Sequence, residues 1–391
     1  MNETKKEKTE EKKIKIVYIL PTLDKGGAER FSLDLILNLD RRVFAPTAIL
    51  FKRGGEWLAE LTAENIPVII FKKNTKFSPR NFWLLFRALQ NLRPQIVHTH
   101  LGGDLYGRLA AKLLRVPVIL STEHNINADE KGIYRLLKII TNSWSDKIVA
   151  VSPAVKKDII ARYKTAAAKI SVILNGLEIN KFLARRKEYR PVDSADAAGF
   201  ASVNRIKIFG TIGRLSPQKG HKVLVDALVK LNRPDINGLI AGAGILEPEL
   251  NKQIKETGMT ARIKLVGPVS DPAAFLNSLD AFVFPSLWEG LGIVLLEAGL
   301  VGLPIIASAV DGITEIIDEN TGWLVPAGDT DALAAKIGWL ADNLTTATVL
   351  AKTEKLREKI IVNFDIRKSA ADYQALYLNL LADKLKNKPI N

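Results

Sequence analysis

Short β-branched runs alternate with amphipathic helical stretches along this chain; the alternation stops once and then starts again. In the first half strands are expected at Lys15–Leu20, Pro46–Phe51, Val68–Phe71, Gln95–His98, Val118–Thr122, Lys147–Val151 and Lys169–Leu174. Helical segments such as Glu29–Leu39, Asn81–Leu92 and Gly103–Leu114 lie between them. This alternation indicates a parallel sheet with helices on both faces. The pattern breaks over residues 184–204, ARRKEYRPVDSADAAGFASVN, which lack periodic apolar spacing and read as a linker. A fresh strand at Ile206–Ile212 restarts it, with helix Lys222–Leu231, strand Asn237–Ala241, helix Pro248–Thr257 and strand Arg262–Val266. After Val325 the chain is expected to be helical through Thr330–Leu340, Thr346–Ile361 and Ile366–Leu385. With 391 residues there is room for two domains of ordinary size. The expected organisation is a polar tail (1–13), a Rossmann-like domain (14–183), the linker, a second Rossmann-like domain (205–365) and a terminal helix (366–391) packing back toward the first domain.

The most informative passage is VFPSLWEGLGIVLLEAGLVGLPIIAS. An apolar strand, Ala281–Phe284, runs into the turn Pro285-Ser286, then Glu289-Gly290, then an apolar helical run interrupted by Glu297, then Gly302-Leu303-Pro304 and another strand. That is a βαβ crossover with one carboxylate at the strand's C-terminal end and one on the following helix. Ligands bind at that edge of open parallel sheets. The helix start offers the N–H groups of Gly290, Leu291 and Gly292 to an anion or a sugar hydroxyl. Either Glu alone could be a solvated surface charge. Glu297, however, interrupts an apolar run where an unpaired charge is unfavourable, so it needs a polar partner, and a ligand would serve.

Two further loops carry suitable chemistry. In the first half, the strand ending at Leu20 leads to Gly26-Gly27 just before a helix, which lets the backbone approach a ligand closely. In the second, Ile206–Ile212 leads into GRLSPQKGHKVL, where Arg214 and Lys219 can converge on one diphosphate, a planar fork and a point charge. The chain has four histidines: His98, His100 and His124 at strand ends of the first half, and His221 after the cationic loop. His124 is placed to touch a sugar hydroxyl or to stabilise a leaving group.

With no cysteine, disulfides and thiolate metal sites are excluded. The one D-x-D triplet, Asp329-Thr330-Asp331, opens the late helical stretch rather than a cleft loop, and His98-x-His100 lacks a carboxylate or thiol companion, so no metal is expected. Neither a G-x-G-x-x-G fingerprint nor a P-loop occurs, which argues against a nicotinamide dehydrogenase and a P-loop nucleotidase. No secretory signal or membrane span is expected: the apolar run Gly292–Val310 contains Glu297 and Pro304 and reads as helix, turn and strand.

Taken in order, these motifs resemble the retaining GT-B glycosyltransferases of family 4. The resemblance covers nearly all of residues 14–380 and rests on Gly26-Gly27, His100, Thr122-Glu123-His124, Val151-Ser152, VILNGLEINKF, GRLSPQKG, LIAGAG, LVGPVSD, PSLWEGLGIVLLEA, Asp311-Gly312 with Glu315, and TGWLVPAGD. It implies an α/β, GT-B fold, two Rossmann-like domains facing across a cleft with a helical C-terminal tail, closing around each turnover. It also implies that Arg214 and Lys219 hold the diphosphate of a nucleotide-sugar donor, that Glu297 takes the ribose hydroxyls, and that Glu289, with the N–H groups of Leu291 and Gly292, binds the transferred sugar. Gly26, Gly27 and His124 would complete the site from the opposite domain, and the base would rest on backbone at Gly267, Pro268 and Val269. Transfer would retain anomeric configuration with no cofactor and no metal. Asp311-Gly312-Ile313 stands where a Gly-Gly pair is common, and Gly299 where Met is commoner; the first should alter contacts and the second packing only.

The charge is uneven. Residues 1–190 carry 35 Lys and Arg against 19 Asp and Glu, while the remainder carries 21 against 23, so the whole cationic excess lies in the first half. Such asymmetry suggests an anionic partner. The basic apolar segments Pro79–Arg93 and Lys131–Ile140 fit an anionic inner-leaflet surface, although the first also fits a core-packing helix. The expected partners are a nucleotide sugar, a saccharide or lipid-linked acceptor and that membrane surface. The expected location is the cytoplasm or the cytoplasmic membrane face. An epimerase or hydrolase acting on the donor alone is the alternative enzyme. A nucleic-acid-binding protein would need aromatics interleaved with cations, which the sequence does not show, so no nucleic acid is expected.

Overall fold

In the computed structural model residues 13–24, 26–51, 53–71, 78–126, 132–184 and 206–386 are described. Apart from Lys13 and Ala184, the segments expected as polar tail and linker lie outside the described residues. Seven strands make the first sheet: β1 Ile14–Leu20, β2 Phe44–Leu50, β3 Val68–Ile70, β4 Ile96–His100, β5 Val118–Glu123, β6 Lys147–Ala150 and β7 Ile170–Val172, in the order β3-β2-β1-β4-β5-β6-β7. Six make the second: β8 Lys207–Ile212, β9 Ile236–Ala241, β10 Ile263–Gly267, β11 Ala281–Phe284, β12 Ile305–Ser308 and β13 Trp323–Val325, in the order β10-β9-β8-β11-β12-β13. Every pairing within these two sheets is parallel. The central strands are apolar on both faces because helices cover both: Ile16 to Leu20 of β1 are all buried.

Each sheet reverses strand order once, between β1 and β4 in the first and between β8 and β11 in the second. At such a reversal the two flanking loops diverge to opposite faces and open a crevice at the strands' C-terminal ends. The loop after β8 carries Arg214 and Lys219, and the loop after β11 carries Glu289. The sequence placed both loops at one edge of one sheet; the topology puts them side by side.

The halves are joined by more than the linker. Leu177 N–H donates to Phe364 O at 2.9 Å and Ile366 N–H to Leu177 O at 3.1 Å, strapping the end of the first half to the point where the chain returns. Gly176 permits this, since a Cβ there would lie 2.6 Å from Asp365 backbone atoms. One apolar cluster runs from Ile148, Val155 and Tyr163 through Leu295 and Ile305 to Phe364. Helix Ile366–Lys386 then lies on the first sheet, with Tyr373 and Tyr377 buried among Ile16, Tyr18, Ile96 and Val118. Helix Leu58–Ala63 and strand β13 were not expected from the sequence; both are too short for a periodic signal. No helix among the described residues is long and apolar enough to cross a membrane.

Candidate active site

The loops after β8 and β11 are locked together by glycine. Gly220 has φ +62°, and a Cβ on it would lie 2.0 Å from Pro285 O, so only glycine lets the two loops touch. Leu287 N–H donates to Gln218 O at 2.8 Å, and Gln218 Nε2 to Trp288 O at 3.1 Å. This contact brings Lys219 Nζ to 2.5 Å from Glu289 Oε1, which also accepts from Ser286 Oγ at 2.9 Å. Glu289 is buried, and Lys219 Nζ also sits 5.0 Å from the centre of the Phe284 ring. The fixed pair therefore presents one positive and one negative group at the crevice.

Arg214 lies on the same loop. Its guanidinium is exposed and has no hydrogen-bond or ion-pair partner among the described residues. Its carbonyl is held by the His221 ring, with Nε2 at 3.3 Å. Burial pushes the His221 pKa down to about 4, so the ring is neutral at physiological pH. A strongly basic group held at its backbone and free at its head is poised for an anion.

Glu297 follows on helix Ile293–Leu300. The sequence argument required a polar partner, and among the described residues its carboxylate has no hydrogen bond. It keeps some contact with solvent, but packing desolvates it enough to raise its pKa to about 7, against the opposing pull of Lys181 and Arg30. Lys219 and Glu289 are brought together; Glu297 is paired with neither cation of the loop, and its charged neighbours Arg30, Asp34 and Lys181 come from the other half. Arg30 itself bridges Asp34 and, at 2.7 Å, Glu60. Neither Arg30 nor Lys181 was singled out as a site residue. The only sequence signal was Lys181's place inside VILNGLEINKF.

The first half closes over these loops. A Cβ on Gly290 would lie 2.4 Å from His124 O, and Ser152 Oγ donates to Gly290 O at 2.5 Å. Gly312 (φ +88°) approaches the same loop, with a Cβ position 2.6 Å from Glu289 O. Ala154 N–H donates to Glu315 Oε1 at 2.9 Å, and Lys157 pairs with Asp311 at 3.2 Å. Gly27 packs on Ile293, at the start of the helix bearing Glu297, so its close approach is to protein in this structure. Gly26 has extended backbone, φ −164°, which any residue adopts, but a Cβ on it would lie 2.3 Å from Glu29 Oε2, so the Glu29 side chain would have to move. The helix after the Glu289 loop begins only at Ile293, with Gly292 (φ +78°) as its cap. The N–H groups of Gly290, Leu291 and Gly292 thus precede the helix and have no acceptor among the described residues.

His124 is buried, with Nε2 3.0 Å from His100 Nδ1, and its own Nδ1 lacks a partner. Burial lowers its pKa to about 4. Ser32 Oγ donates to Ala28 O at 2.8 Å and lies 3.1 Å from His100 Nδ1. His124 Nδ1 and His100 Nε2 are both left without a partner among the described residues, so His124 can turn Nδ1 toward a ligand as donor or acceptor according to its tautomer. His98 is structural: it joins Tyr377 OH at 2.7 Å to Thr122 Oγ1 at 2.8 Å. Gly267 ends β10, the edge strand two places from β8, and Pro268 and Val269 follow it. Gly267 O is already engaged by Gly242 N–H at 2.8 Å. Gly299 admits helix Ala347–Asn363, since its Cβ would lie 2.4 Å from Ile360 Cδ1, which is the packing role expected of it.

Comparison with known proteins agrees with this geometry. The family glycosyl transferases group 1 matches residues 196–360, and glycosyltransferase family 4 matches residues 25–181. The UDP-Gal:α-D-GlcNAc-diphosphoundecaprenol α-1,3-galactosyltransferase of Escherichia coli is 27% identical over 397 residues, covering 96% of this chain and 100% of that protein. The lipopolysaccharide core biosynthesis mannosyltransferase LpsB of Rhizobium meliloti is 30% identical over 227 residues, 54% of this chain and 61% of that protein. A glycosyltransferase structure from Rickettsia africae superposes with a TM-score of 0.75 at 26% identity, covering 96% of this chain and 100% of that one. Anabaena Alr3699/HepE, solved with UDP and glucose, gives 0.79 at 22% identity over 94% of this chain and 100% of that one. Two parallel sheets with a reversal apiece, the Lys219–Glu289 crevice at the second reversal and matches over residues 25–181 and 196–360 lead to one assignment: the chain belongs to the group 1 glycosyltransferases of GT-B fold.

Proposed function

We propose that this enzyme moves a sugar from a uridine-diphosphate donor, with retention of configuration and without a metal, onto a saccharide carried by a lipid diphosphate, in cell-surface polysaccharide or glycolipid assembly. The observation that carries the reading is the crevice at the β8–β11 reversal, where Lys219 is held against Glu289 on the loop that also carries the unpartnered guanidinium of Arg214. The choice of uridine and of a lipid-diphosphate acceptor is supported by the Escherichia coli galactosyltransferase, matched over its full length.

In this reading Arg214 grips the diphosphate bidentately and Lys219 adds a point charge, offsetting the negative charge that grows on the leaving group. A cation fixed beforehand does this without reorganising at the moment of reaction. Glu289 accepts sugar hydroxyls through the oxygen that Lys219 and Ser286 leave unused, with Leu291 and Gly292 N–H donating. Glu297 accepts both ribose hydroxyls, which supplies the hydrogen bonds its carboxylate lacks in the protein alone. His124 bonds a sugar hydroxyl through Nδ1 and, with a depressed pKa, adds no competing charge. Retention follows from attack on the face that the diphosphate leaves, with a diphosphate oxygen taking the acceptor proton.

A panel of UDP-, GDP- and ADP-sugars, followed by thermal shift and by sugar transfer to a lipid-diphosphate saccharide, tests this reading. Stabilisation by UDP-sugars with transfer at retained configuration is expected. Stabilisation by none of them, or donor breakdown that ignores acceptor, would overturn it.

A further inference from the structure

The helices Pro79–Leu92, Asp104–Leu113, Ile133–Asn142 and Pro153–Tyr163 pack side by side on one face of the first sheet. Their outer surface is unusual in two respects. Large apolar side chains face solvent: Trp83, Leu113, Ile133, Leu136 and Ile140 are 44–59% exposed. Ile133, Leu136 and Ile140 are spaced i, i+3, i+7, so they form a single outward stripe, while Lys138, Thr141 and Asn142 of the same helix point inward.

The second respect is charge. The four helices contain nine Lys or Arg and two acidic residues. Of those two, Asp104 is buried and Asp158 is bridged to Arg162 at 3.0 Å. Arg80, Arg87, Lys112 and Arg135 remain exposed on this layer, with Arg115 just beyond it. Arg80, Trp83 and Arg87 share one face, and the Arg87 guanidinium lies 5.5 Å from the centre of the Trp83 ring. The sequence also places Asp129 and Glu130 shortly before Ile133, outside the described residues.

We propose that this four-helix layer docks on an anionic phospholipid bilayer, with the Ile133–Leu136–Ile140 stripe and Trp83 entering the headgroup boundary and the surrounding cations meeting lipid phosphates. Two features select that occupant. An aliphatic stripe gains by entering hydrocarbon and contributes nothing to a nucleic-acid backbone, which needs cations and flat rings. A protein partner would also cover the stripe, but a cationic rim with almost no exposed acid matches a uniformly negative plane, where each Lys or Arg adds attraction. Tryptophan beside arginine suits the headgroup level. Helix Ile133–Asn142 begins nine residues after His124 in the chain. The purpose of docking, delivery of a lipid-borne acceptor, rests on the function proposed above; the surface itself does not.

Sedimentation of the full-length protein with phosphatidylcholine vesicles, with and without phosphatidylglycerol, at low and high salt, tests the proposal. Binding to the anionic vesicles that falls with salt is expected. Leu136→Glu with Ile140→Glu should lower the partition coefficient at least about tenfold, and Arg80→Gln with Arg87→Gln about fivefold per charge. Val362→Glu, an exposed apolar position in the second half, serves as the control and should change nothing. Thermal shift by UDP-sugars on every variant reports the fold and the donor site separately. Equal binding to both kinds of vesicle would overturn the docking surface. Undiminished binding by the Leu136/Ile140 variant, or tight oligonucleotide binding that survives it, would do the same. If docking fails while the UDP-sugar shift persists, the transferase reading stands without it.

Discussion

Replacing Glu297 by Gln should make the protein more stable and worse at its task. The carboxyl's pKa rises from 4.5 to about 7, first because packing desolvates it and only partly offset by Lys181 and Arg30. Below pH 4.5 folded and unfolded chains both hold the proton, and the residue is neutral to folding. As pH rises from 4.5 to about 7 the unfolded chain releases its proton first, so stability is lost across that window and stays lost above it. A rise of that size corresponds to about 3 kcal/mol, an upper bound because the side chain retains some solvent contact. Glu297→Gln keeps the shape and removes the titration. Its melting temperature at pH 8 should exceed that of the parent by about 3 °C for a chain of this length, and the gain should vanish at pH 4.5. Calorimetry supplies the functional half. If Glu297 must ionise to accept ribose hydroxyls, UDP-sugar binding at pH 6.5 releases a proton, and the measured heat depends on the buffer. The variant should lose that dependence and bind at least about tenfold more weakly. A stability gain independent of pH, or a loss at pH 8, would refute the argument that the carboxylate is desolvated and unsatisfied.

Further outcomes follow from individual contacts. Lys219→Ala leaves Glu289 buried with Ser286 as its remaining partner; turnover should fall at least about 100-fold and stability by about 3 kcal/mol, read by single-turnover kinetics and urea unfolding. Arg214→Ala should reduce turnover comparably while leaving stability unchanged, because the exposed guanidinium makes no hydrogen bond or ion pair with a described residue. Gly290→Ala sets a Cβ 2.4 Å from His124 O, so the halves should sit further apart, which small-angle scattering would register as an increased radius along with lost activity. Tyr377→Phe removes the hydroxyl between Tyr18 (2.9 Å) and His98 (2.7 Å); it should destabilise by about 1–3 kcal/mol with UDP-sugar affinity intact.

What the sequence disclosed and what it hid separate along physical lines. Strands β1, β8 and β11 were legible almost to the residue, since central parallel strands are continuous apolar runs ended by Gly or Pro. The Lys219–Glu289 crevice was legible as two loops at one sheet edge, because strand order alone decides which loops become neighbours. The neighbours of Glu297 were not. Arg30 and Lys181 reach it from helices more than a hundred residues earlier, and no local periodicity encodes such a meeting. Arg108 was equally silent: a fully buried guanidinium bonded to Ser121 and Asn142 reads, in sequence, as one more surface cation. Helix Pro79–Leu92 showed why its two readings competed, since Leu85 and Leu89 fill the core while Trp83 faces outward. The base-binding backbone expected at Gly267–Val269 sits at the end of an edge strand, a placement that depends on how many strands lie between it and β8.

The last helix has a consequence for biosynthesis. Residues 14–172 build every strand of the first sheet, yet Tyr373 and Tyr377, which complete the hydrogen bonds of Tyr18, His98 and Thr122, leave the ribosome only about 200 residues later. Until then part of one side of that sheet, beside helix Gly27–Leu37, is uncovered, with buried-type hydroxyls and imidazoles facing water. The nascent first half therefore depends on chaperones or on speed, and a fragment ending at residue 184 would aggregate rather than behave as a free-standing domain.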